Sequence, residues 1–352
     1  MDNEIYDKLA GVLLGTAVGD ALGLYMEGLS ADSIASQFAS GIDRYCLLGN
    51  IGFVSDDTEQ SALIAQALIG NPPDLSKSIR SFRASMLGWF CRMPFGVGRA
   101  TSQSCMKILT GAKTTGIRSA GNGVAMRAAI IGVFFHDDRE QRMRFGTGLA
   151  EVTHIDSRAV EGGLFVAEMA AALCNSASVE NSERHRCFDE AIQVVHEASL
   201  RTALMSAKEL SSKQVSSDEA SKQLGCSGFV NHSVPLAVYM FLCYGDDCLT
   251  ALQSTIKVGG DTDSNAAIVG AWCGALLGES GLPKLLIDQI NEGPFGPTHL
   301  RKLAKGLADS KAGKNAAVPG YLWPVAFARN VAVIPILLSH TFLRIVRRGK
   351  VT

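Results

Sequence analysis

Apolar residues recur along this chain three or four positions apart, the spacing of one helix face, and no stretch alternates in the way of a half-buried strand. The pattern predicts an all-α protein with helices over residues 9–23, 61–70, 76–109, 128–135, 159–172, 234–243 and 247–258, and another through 266–272. Within 76–109, Phe82, Met86, Trp89 and Phe90 mark a core face, and Gly96-Val97-Gly98 breaks the run. Gly70 and Pro72-Pro73 close the helix before it. Two polar stretches, 175–186 and 211–227, read as exposed irregular connections.

Two of these helices carry a second pattern. Gly11, Gly15, Gly19 and Gly23 fall four apart and so share a face. Each interior glycine costs a helix about 1 kcal/mol against alanine, so the stripe costs ~3–4 kcal/mol unless a close neighbour offsets it. Gly270, Gly274 and Gly278 repeat the spacing. The stripes predict two helices that pack on each other or line a crowded centre. Asp20 and Glu27 in and after the first argue against a membrane origin. Asp20 has no partner nearby in sequence and is either a paired structural carboxylate or part of a site.

A length of 352 residues allows one large domain or two, with a substantial core. The 33 basic and 34 acidic residues nearly cancel, so the chain as a whole has no electrostatic footprint for nucleic acid, and none is expected as a partner. The N-terminus is acidic and lacks the apolar core of a signal peptide. Nine cysteines without a CxxC pair or zinc spacing suit a reducing compartment, and a cytoplasmic location is expected. Residues 330–348 are apolar with a basic end, too short an apolar run to span a bilayer and broken by Pro335. No transmembrane segment is expected; the stretch reads as a helix docked on the body, with weak membrane-surface binding as the alternative.

The chemistry concentrates at two helix starts. Gly259-Gly260-Asp261-Thr262-Asp263-Ser264 runs straight into an apolar segment, and Ser55-Asp56-Asp57-Thr58-Glu59 into another. Capping explains part of each, since Asp and Ser suit the N-cap and Asp56 with Glu59 has capping-box spacing. Hard oxygen ligation of a divalent cation is the other reading, and four aspartates balance the charge of two such ions. Gly121-Asn122-Gly123 lies in a glycine-rich loop whose backbone N–H groups suit phosphate oxygens, although it matches no standard nucleotide motif. His154 precedes a further helix and is either a hydrogen-bonded structural residue or a site residue.

Taken in order, Gly19-Asp20-Ala21-Leu22-Gly23 with Glu27, Ser55-Asp56-Asp57-Thr58, Gly121-Asn122-Gly123 with Met126-Arg127, Thr153-His154 and Gly259-Gly260-Asp261-Thr262-Asp263-Ser264 resemble the ADP-ribosylglycohydrolase family, of the dinitrogenase-reductase-activating type. The resemblance covers roughly residues 8–280. It implies a single domain over 1–352, a compact orthogonal helical bundle with a binuclear Mg or Mn site at its centre; the apolar and basic segment 319–352 is read from its own composition as docked on that body. It implies Ser55, Asp56, Asp57, Asp261, Asp263 and Ser264 as metal ligands. Gly121, Asn122, Gly123 and His154 would contact ADP-ribose, and Glu27 would lie on a mobile loop over the substrate. Asp56, Asp57, Glu27 and Asp263 would carry catalysis, and Asp20 would support the packed centre. Ile130 and Ser157 stand where members often have proline, and Ser264 where threonine is usual. These departures touch substrate choice more than ligation.

The implied activity is metal-dependent removal of ADP-ribose from a protein side chain, with arginine as the expected linkage. Alternatives are a serine linkage, an ADP-ribosylated small molecule, or an immunity-type role in which the protein blocks or reverses an ADP-ribosyltransferase toxin.

Overall fold

Glycine at every fourth position flattens one face of the helix Asp2–Gly23, and the helix Thr262–Leu277 lies antiparallel against that face. A Cβ on Gly15 would sit 2.7 Å from the carbonyl carbon of Gly270, one on Gly19 2.8 Å from Ala267 N, and one on Gly23 2.6 Å from Asp263 Cα. The stripes therefore allow a backbone approach that any side chain would forbid. Both helices are apolar nearly all round, as central elements must be. The first is long and apolar enough to cross a bilayer, yet 94% of its apolar window is buried inside the protein.

In this computed structural model residues 2–39, 41–70 and 74–348 are described, with 2, 337–338 and 340–348 by backbone alone. The proline stop at Pro72-Pro73 and the last four residues lie outside them. Around the central pair pack Asp56–Gly70, Ala129–Phe134, Ser157–Cys174, Val230–Tyr244, Cys248–Lys257 and Pro297–Lys311. Trp272 anchors this shell, its ring edge-on to Phe165 and Phe241 and its Nε1 donating to Val166 O at 3.2 Å. Side-chain caps start many outer helices: Asp74, Asp138, Asp156 and Asp247 each accept a backbone N–H of the first turn.

No sheet occurs among the described residues, only isolated bridges, so the all-α expectation holds. The two polar stretches differ from expectation. Asn181–Ala191 is a helix that buries Arg184, Cys187 and Phe188, and Ser217–Leu224 is a helix capped by Ser216 that buries Ala220 and Leu224. With four and two inward residues respectively, one of the four an arginine, such helices are too short for apolar periodicity to register.

The C-terminal helix Trp323–Arg348 docks its first turns on the body. Ala326, Asn330 and Val333 are buried, Trp323 Nε1 donates to Gly88 O at 2.8 Å, and Asn330 Nδ2 donates to Arg92 O at 3.0 Å. The basic side chains Arg344, Arg347 and Arg348, read from sequence as its end, lie outside the described side chains.

Candidate active site

Antiparallel packing of the striped helices brings the end of the first, with Asp20 and Glu27, beside the start of the second, with Asp261 and Asp263. Asp20 is fully buried and faces the Asp56–Gly70 helix. Its carboxylate accepts from Ser55 N at 2.9 Å, Thr58 N at 3.1 Å and Thr58 Oγ1 at 2.5 Å. A carboxylate from another helix thus satisfies the free N–H groups of this helix start. Burial raises the Asp20 pKa to about 6 against the opposing pull of those bonds.

The local capping box does not form, because Asp20 already serves that end. Glu59 turns inward instead, accepting from Trp89 Nε1 at 2.7 Å and Arg92 Nη2 at 2.8 Å and pairing with Arg329. Asp56 accepts from Gln60 Nε2 at 3.0 Å.

At the second helix start Asp261 holds the N-cap position without making a cap bond. It accepts instead from Asn122 Nδ2 at 2.7 Å. The loop before it needs glycine: Gly259 and Gly260 have φ of 76° and 82°, and a Cβ on Gly260 would lie 2.7 Å from Cys226 Sγ. Gly28 N donates to Gly260 O at 2.8 Å and Gly260 N to Leu29 O at 3.0 Å, so the backbone next to Glu27 is tied to this loop. One carboxylate oxygen each from Glu27, Asp261 and Asp263 lies within 4.8 Å of the others.

Asp56, Asp57 and Asp263 have pKa values well above the carboxylate range, first because they are buried and then because they repel one another, Asp20, Glu27 and Asp261. Ser55 Oγ donates to Asp57 Oδ2 at 3.2 Å, while Asp57 Oδ1 is buried with no hydrogen-bond donor. Crowded carboxylates, an orphaned carboxylate oxygen, flanking hydroxyls and an all-oxygen donor set fit a hard divalent cation.

Asn122 is held on three sides. Its N–H donates to Gly228 O at 2.9 Å, and its side-chain amide donates to both Asp261 and Ser233 Oγ. Behind it Arg127, buried and stacked 5.2 Å from the Phe82 ring, links two parts of the site. One guanidinium nitrogen reaches Gln60, the partner of Asp56, and the other donates to Thr153 Oγ1 at 2.6 Å. Thr153 Oγ1 lies 2.9 Å from His154 Nδ1, leaving Nε2 toward the Gly121 and Gly123 backbone. Burial, with Arg127 nearby, lowers the His154 pKa to about 3, so the ring is neutral at ordinary pH.

A cleft of about 540 Å³ opens onto Glu27, Asp56, Asp261, Asp263, Ser264, Asn122 and His154. Asp57 and Ser55 lie behind this lining. Sequence reasoning passed over two segments that complete the wall, Gly96–Thr101 and Ser227-Gly228. Gly96, at φ 80°, leaves no room for a side chain, since its Cβ would meet Asp56 Oδ1 at 2.5 Å. A Cβ on Gly228 would meet Asp261 Oδ2 at 2.9 Å. The Gly96-Val97-Gly98 break was the available signal.

Comparison with known proteins agrees with this geometry. The family model described as ADP-ribosylglycohydrolase matches residues 1–317. An uncharacterized protein of Archaeoglobus fulgidus is 29% identical over 300 residues, covering 82% of this chain and 93% of its own. An ADP-ribosylarginine hydrolase of Serratia proteamaculans is 24% identical over 300 residues, covering 82% of this chain and 76% of its own. Among solved structures, an ADP-ribosylglycohydrolase-related protein complex aligns with a TM-score of 0.64 at 20% identity, over 88% of this chain and 99% of that one, a likeness of fold.

Proposed function

The chain belongs to the ADP-ribosylglycohydrolase family, and from that premise we propose that it hydrolyses the bond between ADP-ribose and an arginine side chain of a modified protein, using two Mg or Mn ions. Removal of ADP-ribose from modified substrates is the family's reaction; the arginine linkage draws support from the Serratia relative's name. The observation that carries the reading is one cleft in which Asp56, Asp261, Asp263 and Glu27 face the glycine-rich Gly121–Gly123 turn.

Ser55, Asp56, Asp57, Asp261, Asp263 and Ser264 would hold the cations, and Asn122 would fix the Asp261 carboxylate. When bound, the ions supply Lewis acidity and offset the carboxylate repulsion. The chain's own groups do the rest. Hydrolysis breaks the C1–N bond of the ribose, gives the water oxygen to C1 and returns a proton to the leaving guanidine. Carboxylates facing C1 stabilise the positive charge that develops there. The Gly121–Gly123 backbone and the neutral His154 ring would position the ADP-ribose. Its pyrophosphate would lie beside Arg99, which lines the cleft at the start of the helix Arg99–Leu109, where backbone N–H groups favour anions. Glu27, on backbone tied to the Asp261 loop, would sit over the ribose. We read residues 1–352 as one domain working in the cytoplasm, where its nine free thiols stay reduced.

The test is hydrolysis of defined arginine-, serine- and O-acetyl-linked ADP-ribose with Mg, Mn or a chelator. Turnover confined to the arginine linkage and abolished by chelation is expected. Preference for another linkage, or full turnover in chelator, would contradict the proposal.

A further inference from the structure

The segment after the family-matched residues has a charge and an exposed face that hydrolysis does not use. Residues 318–352 contain five Lys and Arg and no Asp or Glu, leaving 28 basic against 34 acidic residues in the rest of the chain. This near-neutral protein therefore carries a strongly basic arm on an acidic body.

Over its first turns the arm's helix, Trp323–Arg348, turns Arg329 and Asn330 inward. Arg329 pairs with the buried Glu59, and Asn330 donates to Arg92 O at 3.0 Å. These two contacts, with Ala326 and Val333 buried beside them, set the rotation of the helix about its axis. Its outward face over the same turns is Val325, Ala328, Val331, Ala332 and Pro335, all exposed and none charged. Trp323 at the near end is 38% exposed and Leu322 before it 72%. A helix normally gives water its charged face; over these turns the face given to water carries no charge. The sequence then runs through Phe342, Leu343, Ile345 and Val346 with Arg344, Arg347 and Arg348 among and after them. An apolar face continuing into a basic end is the composition of a helix lying in a membrane interface.

We infer that the C-terminal arm docks on an anionic lipid surface, laying the outward face of its helix among the headgroups with the basic end against their charge. Charge argues against a pairing of two arms face to face. Two such arms facing each other would bring like charges together, whereas an anionic leaflet attracts the basic end. The acidic body would stay away from the surface.

The full-length protein should co-sediment with vesicles of phosphatidylcholine and phosphatidylserine, not with phosphatidylcholine alone, and added salt should release it. Replacing Arg344, Arg347 and Arg348 together by Gln should weaken partitioning on the order of a hundredfold, at roughly fivefold per basic residue. Val331→Asp, on the outward face, should weaken it too. Both variants should keep the parent's melting temperature and its turnover of a soluble substrate. Three results would overturn the inference: no binding of the parent to anionic vesicles, undiminished binding by the triple Gln variant, or a dimer in light scattering that Val331→Asp dissolves while vesicles capture nothing.

Discussion

Gly15→Ala adds a single methyl group where the two central helices meet backbone to backbone. In an ordinary helix it would stabilise by about 1 kcal/mol. Here the new Cβ would lie 2.7 Å from the Gly270 carbonyl carbon, and nearer to its oxygen. Carbon atoms rest at about 3.5–4.0 Å, so the helices must separate by roughly 1 Å, loosening the Gly11, Gly19 and Gly23 contacts as well. Overpacking of this kind costs about 1–3 kcal/mol, which outweighs or cancels the propensity gain. Gly88→Ala is the control, a helical glycine whose Cβ would meet nothing within 4 Å. At roughly 2 °C per kcal/mol for a chain of this length, calorimetry should show Gly15→Ala melting up to about 4 °C below the parent and Gly88→Ala slightly above it. Equal rises for both would refute the close-packing argument, and Gly15→Leu should fail more severely.

Asn122→Ala removes the amide that orients Asp261, and by analogy with other residues that brace a metal ligand it should weaken Mn affinity about 10–100-fold, read by titration. Retained affinity would mean Asp261 needs no support. Glu59→Gln leaves Arg92 and Arg329 without their carboxylate and should destabilise by about 3–5 kcal/mol in denaturant melts, far beyond the loss of a surface cap. His154 has its pKa lowered to about 3 from 6.5, so the unfolded chain binds the extra proton in between; its contribution to stability is complete above pH 6.5 and falls as pH drops toward 3. His154→Gln should flatten that part of the stability–pH curve, and an unchanged slope would count against a buried neutral ring.

The sequence made the all-α class and the central helix pair legible because both rest on strict periodicities: four for the glycines, three to four for the apolar faces. It also located both aspartate-rich helix starts, since so many carboxylates and hydroxyls in one turn exceed what a cap requires. Its capping box failed because capping is decided in three dimensions: Asp20, 35 residues before Ser55, occupies the place that local spacing assigned to Glu59. Gly96 and Gly228 were passed over for a related reason. A glycine demanded by a carboxylate distant in sequence has no local signature. Asn122 was placed against substrate, and the fold shows a second task for it, holding Asp261.

The claim that the clustered carboxylates hold cations is tested most directly by Asp263→Asn, with Mg titration and melts from pH 5 to 8 in parent and variant. Asp263 is buried, and its raised pKa reflects that burial and then the neighbouring Glu27 and Asp261 charges. Groups of this kind bind more protons folded than unfolded, so the cation-free parent should lose stability as pH rises above the ordinary carboxylate range, through the Asp20 value near 6. Asparagine removes one charge, so the cation-free variant should be at least as stable as the parent, with a shallower decline. Its Mg affinity, its stabilisation by Mg and its turnover should all fall steeply. If Mg instead stabilises both proteins equally and turnover survives, Asp263 serves only the first turn of its helix, where it accepts from Ser264 N at 2.9 Å, and the metal assignment is wrong.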